Sequence, residues 1–182
     1  HSFPTRRSSD LLLIDADLRK PTFASSRKDG HGLGYLLTNE DPLSSLVEKT
    51  KTDGLSLLPV GRFTGSAADL LSSNRLPSLI KEAAEGFDMV VIDAPPVLGL
   101  ADAPLLASVA EATVMVVESR RSRTGDVQEM VRRLADAGAN LAGVILTKIS
   151  LKRSRYGYGY GYYSYDEGER SSDSATRRID VS

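Results

Sequence analysis

Apolar residues in this chain of 182 residues occur in short continuous runs, separated by stretches with helical periodicity. The runs have the length of strands and do not alternate with polar residues, a pattern typical of strands covered on both faces. Alternating strands and helices predict β–α–β units, and hence an α/β fold with a mostly parallel twisted sheet flanked by helices. The runs span residues 11–15, 55–60, 89–93, 113–118 and 143–147.

Two of the intervening stretches predict helices. Residues 126–137 repeat apolar side chains at helical spacing and leave charged ones on the opposite side. Thr124 and Gly125 precede that stretch and Gly138 follows it, so both of its ends carry boundary residues. A second helix is expected over residues 76–84, ended by Gly86.

The composition of the chain changes at both ends. Residues 1–10, HSFPTRRSSD, have no apolar period and directly precede a strand, so they are interpreted as a foreign or disordered lead-in. Residues 11–149 form the expected folded domain. Residues 150–182 are rich in Gly, Tyr, Ser, Arg and Asp, which bury too little apolar surface to offset the entropy of ordering, and predict a flexible tail.

Composition mainly excludes classes of function. There is no cysteine, which rules out a disulfide framework and any thiolate metal or redox site. The formal net charge of -1 gives no general attraction to nucleic acid, so no nucleic-acid partner is expected. No apolar run is long enough to cross a bilayer.

The first strand ends in the segment LLLIDADLRKP, which places Asp15, Asp17 and Arg19 at its carboxyl end. In parallel α/β sheets this edge binds ligands. Two carboxylates two residues apart can share a hard cation or act as a base, and Arg19 can hold a phosphate oxygen or tie down a carboxylate. The alternative is structural: the aspartates cap the following loop or pair with Arg19.

A second apolar strand ends in an acid within FDMVVIDAPPVLG. Asp93 at that position has the Walker B arrangement, in which the carboxylate holds magnesium beside nucleotide phosphates. Pro95 and Pro96 enforce a non-helical exit from the strand. The alternative is that Asp93 caps a turn.

Together, LLLIDADLRKP, VVIDAPP and the Tyr-rich terminus resemble the bacterial tyrosine kinases, P-loop-derived autokinases of polysaccharide export systems. The first segment is similar to the family's Walker A′ motif and the second to its Walker B motif. The resemblance extends from about Leu11 to Tyr165. It includes the connecting segments GLGYLLTNEDPLSSLVEKT, LSLLPVGRFTGSAADLLSS and ANLAGVILTK.

The resemblance implies ATP and Mg²⁺ as cofactors and transfer of the γ-phosphoryl group to a tyrosine of a neighbouring subunit. Asp15 is then the candidate base or orienter of the incoming hydroxyl, Asp17 assists at the metal or phosphate, and Asp93 holds the magnesium shell. Arg19 is a candidate phosphate ligand. Near the end of the last strand, where the family often has Asn close to the adenine, this chain has Thr147 and Lys148, the remaining candidate nucleotide contacts.

One element of the family is absent from the sequence. No segment has the form GxxxxGK[ST], the loop that surrounds phosphates with backbone N–H groups and supplies a lysine. We therefore expect these 182 residues to bind ATP very weakly and to show little kinase activity alone. The strand before that loop is central in the family's fold, so an N-terminally truncated domain with a gap or an exposed edge in its sheet is expected.

Clustered tyrosines in the tail are the expected phosphorylation sites. Alternating glycines let such a segment enter another subunit's site in extended form. Without the two upstream motifs, the same composition is typical of an adhesive tract or of a segment that stacks on single-stranded nucleic acid. The six tyrosines are Tyr156, Tyr158, Tyr160, Tyr162, Tyr163 and Tyr165.

The resemblance also implies partners and a location. It implies a homo-oligomeric ring that phosphorylates itself in trans, a membrane co-polymerase or adaptor domain, and a counteracting tyrosine phosphatase. The expected location is the cytoplasmic face of the bacterial inner membrane. The alternatives are a ParA- or MinD-like ATPase switch, which usually lacks a tyrosine tail, and a non-catalytic phospho-acceptor scaffold.

Overall fold

The structure is a computed structural model that describes residues 10–149. In this part of the chain, strands and helices mostly alternate, as the apolar pattern predicts. A single 3₁₀ turn lies at Leu43–Ser45. The elements in chain order are β1 (Leu11–Asp15), α1 (Leu33–Leu36), β2 (Glu48–Lys49), β3 (Leu55–Leu58), α2 (Ala67–Leu71), α3 (Arg75–Gly86), β4 (Met89–Asp93), α4 (Asp102–Val109), β5 (Thr113–Glu118), α5 (Thr124–Asp136) and β6 (Leu141–Thr147). Among these, only β2 and β3, and α2 and α3, follow each other directly.

The five predicted strands are all present, and three of them have the predicted bounds. β3 ends two residues earlier than expected, at Leu58, and β6 begins two residues earlier, at Leu141. The two predicted helices are α3 and α5, each slightly longer than its apolar pattern. The apolar pattern did not predict β2 or α1, because such short elements contain too few residues to show a period.

The first sheet has the strand order β2-β3-β1-β4. β1 is parallel to both of its neighbours, and only the two-residue β2 is antiparallel. The pairing of β1 with β4 runs in register from Leu11 opposite Met89 to Asp15 opposite Asp93. This register brings the carboxyl ends of two strands that are far apart in sequence side by side.

A second sheet contains β5 and β6, which are parallel. Between residues 10 and 149, no strand pairs with the outer edge of β4 or with the free edge of β5. The expectation of an exposed edge in the sheet is therefore confirmed for the described residues. α4 follows β4 and contacts α5, which links the two sheets.

The larger core lies on one face of the first sheet. Leu12 and Ile14 of β1 are buried there together with Leu76 and Leu79 of α3. Those two leucines are one helical turn apart, so a single stripe of α3 covers the sheet. α1 and α2 contribute further buried leucines, and this packing holds the end of β1 in place.

A smaller core lies on one face of the second sheet, where Met115 and Val117 of β5 pack with Leu134 of α5. The opposite face is open: Val116 is 62 % exposed and Ile145 is 53 % exposed. The expectation that continuous apolar runs are covered on both faces is therefore wrong for these strands, and for Met89 of β4, which is 59 % exposed. Leu134 of α5 packs with Met115 and Val117, but Val144 and Leu146, their partners in β6, are 52% and 51% exposed, and within residues 10–149 no helix buries Val116 or Ile145.

Several expectations fall on the ends of the chain. Residues 1–9 and 150–182, which include nearly all of the predicted lead-in and all of the predicted tail, lie outside the described residues. Asp10 is described, and its backbone N–H donates to a carboxylate oxygen of Asp88 at 2.9 Å. Within the described range, the helices lack the length and apolar character needed to span a membrane.

Candidate active site at the carboxyl edge of the sheet

Two of the predicted site residues are neighbours across the β1–β4 pair. Asp15 is the last residue of β1 and lies opposite Asp93, the last residue of β4. The backbone N–H of Ala16 donates to the carbonyl of Asp93 at 2.9 Å, which continues the ladder one step past Asp15. Neighbouring strands lie about 4.8 Å apart, so two carboxylates share this edge.

The carboxylate of Asp15 is fully buried and accepts hydrogen bonds from the backbone of the loop that follows. The N–H groups of Thr22 and Phe23 donate to Oδ2 at 2.8 and 2.9 Å, and the N–H of Asp17 donates to Oδ1 at 3.3 Å. These bonds compensate for the desolvation of the carboxylate. In the described structure, Asp15 therefore orders the loop over residues 16–23, as the capping alternative proposed.

Asp17 is half-buried and lies two residues beyond the end of β1. One of its carboxylate oxygens, Oδ1, accepts the backbone N–H groups of Arg19 at 3.2 Å and Lys20 at 2.9 Å. Bonds of this kind, from an aspartate to the backbone two and three residues later, form a tight turn. The turn fixes the direction of the Asp17 side chain.

Asp93 is the exposed member of the acidic group. Partial burial raises the pKa of its carboxyl group, and the nearby carboxylates of Asp15 and Asp17 raise it further. A carboxylate with a raised pKa gains more than an ordinary one when a cation arrives, because the cation relieves the repulsion. Asp93 is also the most accessible of the three carboxylates at this edge.

The guanidinium of Arg19 forms no ion pair with Asp15 or Asp17, the two aspartates of its own motif. It donates from Nε to Oδ2 of Asp102 at 2.7 Å and from Nη2 to Oδ1 at 3.3 Å. Asp102 is the first residue of α4 and is completely buried. The sequence around Asp102 does not mark it as a site residue, since an aspartate at the start of a helix usually indicates only a favourable interaction with the helix dipole.

Thr147 and Lys148 lie at the end of β6, in the second sheet. The hydroxyl of Thr147 donates to the carbonyl of Val117 at 3.3 Å. The Nζ atom of Lys148 lies 3.0 Å from a carboxylate oxygen of Glu118, and this contact, helped by Arg121, lowers the pKa of Glu118. The structure therefore groups Asp15, Asp17 and Asp93 at one edge, whereas Thr147 and Lys148 lie at the end of a strand of the other sheet.

The donor set at the acidic edge suits magnesium, with one restriction. In the part of the chain that the structure describes, no three acidic or histidine side chains are arranged to hold a metal ion by themselves. Mg²⁺ usually keeps several waters and binds proteins through one or two carboxylates together with substrate phosphates. Asp93 and Asp17 fit that mode, in which the remaining ligands are water and phosphate oxygens.

The fold and this edge together define a class. In α/β domains with a parallel sheet flanked by helices, ligands bind at the carboxyl ends of the strands. Here the carboxylates of Asp15 and Asp93 are held in register by β1 and β4. The six candidate acceptor tyrosines lie outside the described residues.

Comparison with known proteins shows which family of α/β proteins the chain resembles. The chain is 35% identical over 155 residues to the tyrosine-protein kinase YwqD of Bacillus subtilis, covering 84% of this chain and 65% of YwqD. The solved kinase domain of VpsO is 31% identical, with a TM-score of 0.70, covering 78% of this chain and 71% of that domain. No protein-family model matches the chain. The chain belongs to the bacterial tyrosine kinases.

The relation to the MinD group is one of fold. The cell division ATPase MinD of Pyrococcus furiosus is 24% identical, with a TM-score of 0.61, covering 76% of this chain and 59% of that structure. It shares the α/β architecture predicted from the sequence. Membership of a kinase family implies, in general, the use of a nucleotide and magnesium. The chain spans 65% of the length of YwqD and 20% of the length of the putative tyrosine-protein kinase EpsB of Ralstonia solanacearum, so the activity, substrates and partners of the whole protein are matters of proposal.

Proposed function

We propose that this chain carries the acidic edge of a protein tyrosine autokinase that transfers the γ-phosphoryl group of Mg²⁺-ATP to its own clustered tyrosines. The observation that carries the proposal is the register that places Asp15 beside Asp93, with Asp17 two residues further on. Phosphoryl transfer depends chiefly on positioning and charge neutralisation, and carboxylates that bind a metal supply both. The clustered tyrosines of the tail supply an acceptor segment that every copy of the chain carries.

The three carboxylates take different roles in this proposal. Asp93, exposed and with a raised pKa, holds the magnesium shell, and Asp17 assists at the metal or the phosphate. Asp15 was a candidate base or orienter of the incoming hydroxyl; its buried carboxylate accepts three backbone N–H groups, which favours a role in holding the loop that carries Asp17. A tyrosine hydroxyl has a pKa of about 10, so a carboxylate near its proton assists attack.

Neighbouring copies supply the acceptor tyrosines, and the modification regulates assembly. Each phosphorylation adds about -1.5 to -2 charges at neutral pH, so a fully modified cluster carries roughly ten more negative charges. An unmodified tail docks between subunits of a ring, and a heavily modified tail repels them. A multiply phosphorylated tail that assembled as well as the unmodified one would contradict this model.

The cellular role that the family implies is control of exopolysaccharide or capsule polymerisation and export. The proposed setting is the cytoplasmic face of the inner membrane, with a co-polymerase or adaptor domain in the membrane and a tyrosine phosphatase that resets the tail. The domain boundaries proposed from the sequence fit this arrangement: a nucleotide-binding part over residues 11–149 and an acceptor tail over residues 150–182.

Detection of phosphotyrosine in the native protein, purified from the cell that makes it and incubated with Mg²⁺-ATP, tests the proposal. We expect phosphate on the tail tyrosines of the wild-type protein and its loss in the variants Asp15→Ala and Asp93→Ala. Asp136→Ala is the matched control, because Asp136 is an exposed aspartate on α5 whose ion pair with Arg132 lies away from the acidic edge.

The outcomes separate the candidate functions. Phosphotyrosine in the wild-type protein and in Asp136→Ala, but in neither of the other variants, supports an autokinase that uses this edge. Nucleotide hydrolysis without phosphotyrosine identifies an ATPase switch instead. Phosphorylation only when another kinase is added identifies a phospho-acceptor scaffold.

A further inference from the structure

One ion pair connects the two loops that border the acidic edge. Arg19 lies in the loop after β1, and Asp102 begins α4 at the end of the loop after β4. Two donor–acceptor contacts, at 2.7 and 3.3 Å, join the guanidinium to both carboxylate oxygens. The Asp102 side chain is 1% exposed and the Arg19 side chain 44% exposed, so the guanidinium covers the carboxylate from the solvent side.

The Arg19–Asp102 ion pair restricts the orientation of both side chains as well as neutralising their charges. A buried carboxylate without a partner is strongly unfavourable, and the helix dipole of α4 supplies only part of the compensation. A two-point contact between guanidinium and carboxylate also restricts orientation, which a single ammonium contact does not. Arg19 is therefore constrained in position as well as neutralised.

The constraint on Arg19 acts directly on Asp17. The backbone N–H of Arg19 donates to Asp17 Oδ1 at 3.2 Å, so the residue whose side chain is anchored to α4 also closes the Asp17 turn. The same loop is held at its far end by Asp15, through the N–H groups of Thr22 and Phe23. Movement of Arg19 away from α4 would loosen the Asp17 turn, which would then keep only the bond from the N–H of Lys20 to Oδ1 at 2.9 Å.

We infer that the Arg19–Asp102 pair is a latch that positions Asp17 for the metal, and that Arg19 acts as a positioning residue in place of the phosphate ligand expected from its motif. The inference deepens the proposed kinase function and rests on it for its catalytic consequence. Its structural part stands on this chain alone, because the latch and the loop that it holds are both within the described residues.

Hydrogen exchange on this chain tests the latch itself. Arg19→Gln and Asp102→Asn should each raise the exchange rate of the amides in residues 16–23 about tenfold, and the double variant should raise it no further, because both changes break one contact. Arg19→Lys should fall between wild type and Arg19→Gln, since it keeps the charge and loses one hydrogen bond. Arg132→Gln, which breaks two exposed ion pairs on α5, is the control and should leave these amides unchanged.

Kinetics of the native enzyme test the consequence for the metal. In Arg19→Gln and Asp102→Asn the Mg²⁺ concentration for half-maximal autophosphorylation should rise severalfold and kcat should fall, with the KM for ATP within twofold of wild type. Arg19→Lys should recover part of the Mg²⁺ dependence. A changed Mg²⁺ dependence with an unchanged KM for ATP distinguishes loss of positioning from loss of folding. If Asp102→Asn does not fold, Arg19→Lys still tests the inference.

Two results would overturn the latch. The first is unchanged exchange in residues 16–23 for both single variants. The second is a raised KM for ATP in Arg19→Gln with normal kinetics in Asp102→Asn, which would identify Arg19 as a phosphate ligand. Absence of phosphotyrosine in the wild-type protein would instead contradict the proposed function, and the exchange experiment would still decide the latch.

Discussion

Gly32 illustrates how a single residue fixes the packing beside the site. It precedes α1, and a Cβ atom added to it would lie 2.2 Å from the carbonyl oxygen of Pro59 and 2.8 Å from the nitrogen of Gly61. Backbone hydrogen bonds hold this contact, because the N–H groups of Leu33 and Gly34 donate to the carbonyls of Pro59 and Val60. Neither segment can withdraw without losing those bonds.

Gly32→Ala should therefore lower the free energy of unfolding by about 3 kcal/mol, at the upper end of the range for overpacking. The matched control is Gly125→Ala in α5, where nothing lies within 4 Å of the added atom. That change should be neutral or stabilising by up to about 1 kcal/mol, since alanine favours a helix over glycine. Urea denaturation of the two variants measures the contrast, and equal effects would contradict the packing argument.

The raised pKa of Asp93 leads us to expect that its ionisation lowers the free energy of unfolding. Its pKa is raised in the folded state by partial burial and by Asp15 and Asp17, so the ionised form opposes folding. Asp93→Asn should therefore raise the free energy of unfolding at neutral pH. The gain should shrink as the pH falls through the raised pKa, and vanish below the ordinary value of 3.8, where both states are protonated.

Asp29 is the control of opposite sign for this experiment. A hydrogen bond from Arg27 is the main cause that lowers its pKa to about 2, so its ionised form favours folding. Asp29→Asn should lower stability at neutral pH, and the loss should disappear as the pH falls from 3.8 through about 2. Denaturation curves between neutral pH and pH 2 for both variants decide the signs, and a loss of stability in Asp93→Asn at neutral pH would contradict the prediction.

At the scale of elements, strand β5 has two faces in different environments. Val117 is 7% exposed and packs in the small core with α5, whereas Val116 is 62% exposed beside Val114 and Ile145. Val117→Ala should destabilise the chain by about 2 kcal/mol, the transfer energy of two methyl groups plus a small cavity.

The other face of β5 should respond differently. Val116→Thr should change stability by less than about 0.5 kcal/mol and should reduce self-association, because exposed apolar strands with free edges promote it. Thermal unfolding and sedimentation measure the two effects. Comparable destabilisation by both substitutions would show that the exposed face is covered in solution.

The elements also show what periodicity can predict. β1, β4 and β5 have the predicted bounds because each is a dense apolar run that ends in a polar or charged residue. α4 was not predicted, since its small and apolar residues, DAPLLASV, show no polar face. The exposure of one face of β5 could not be predicted either, because a continuous apolar run gives no information on which face a helix covers.

For the whole molecule, the absence of a GxxxxGK[ST] segment from the sequence has a measurable consequence. The acidic edge gathers negative charge from Asp15, Asp17 and Asp93, and the nearby Arg19 is engaged by Asp102. Triphosphate binding to such an edge depends on backbone N–H groups and a lysine that the loop provides.

Calorimetry of these 182 residues with Mg²⁺-ATP should therefore show no saturable binding at micromolar concentrations. The reason is electrostatic as well as geometric, because the phosphates meet carboxylates whose charge magnesium neutralises only in part. Micromolar affinity would show that other groups of the chain, such as Lys20 or Lys148, replace the loop.

The sequence by itself determined the α/β class, the strands that bear the acids, and the identity of Asp15, Asp17 and Asp93 as candidates. These features are local: an apolar run followed by an acid specifies a strand end whatever the rest of the chain does. The tertiary structure decided which groups meet. It put Asp15 beside Asp93 and buried it under its own loop, and it paired Arg19 with Asp102, 83 residues away. Such partners depend on the register of β1 with β4 and on where α4 begins, and no periodicity along the chain encodes either.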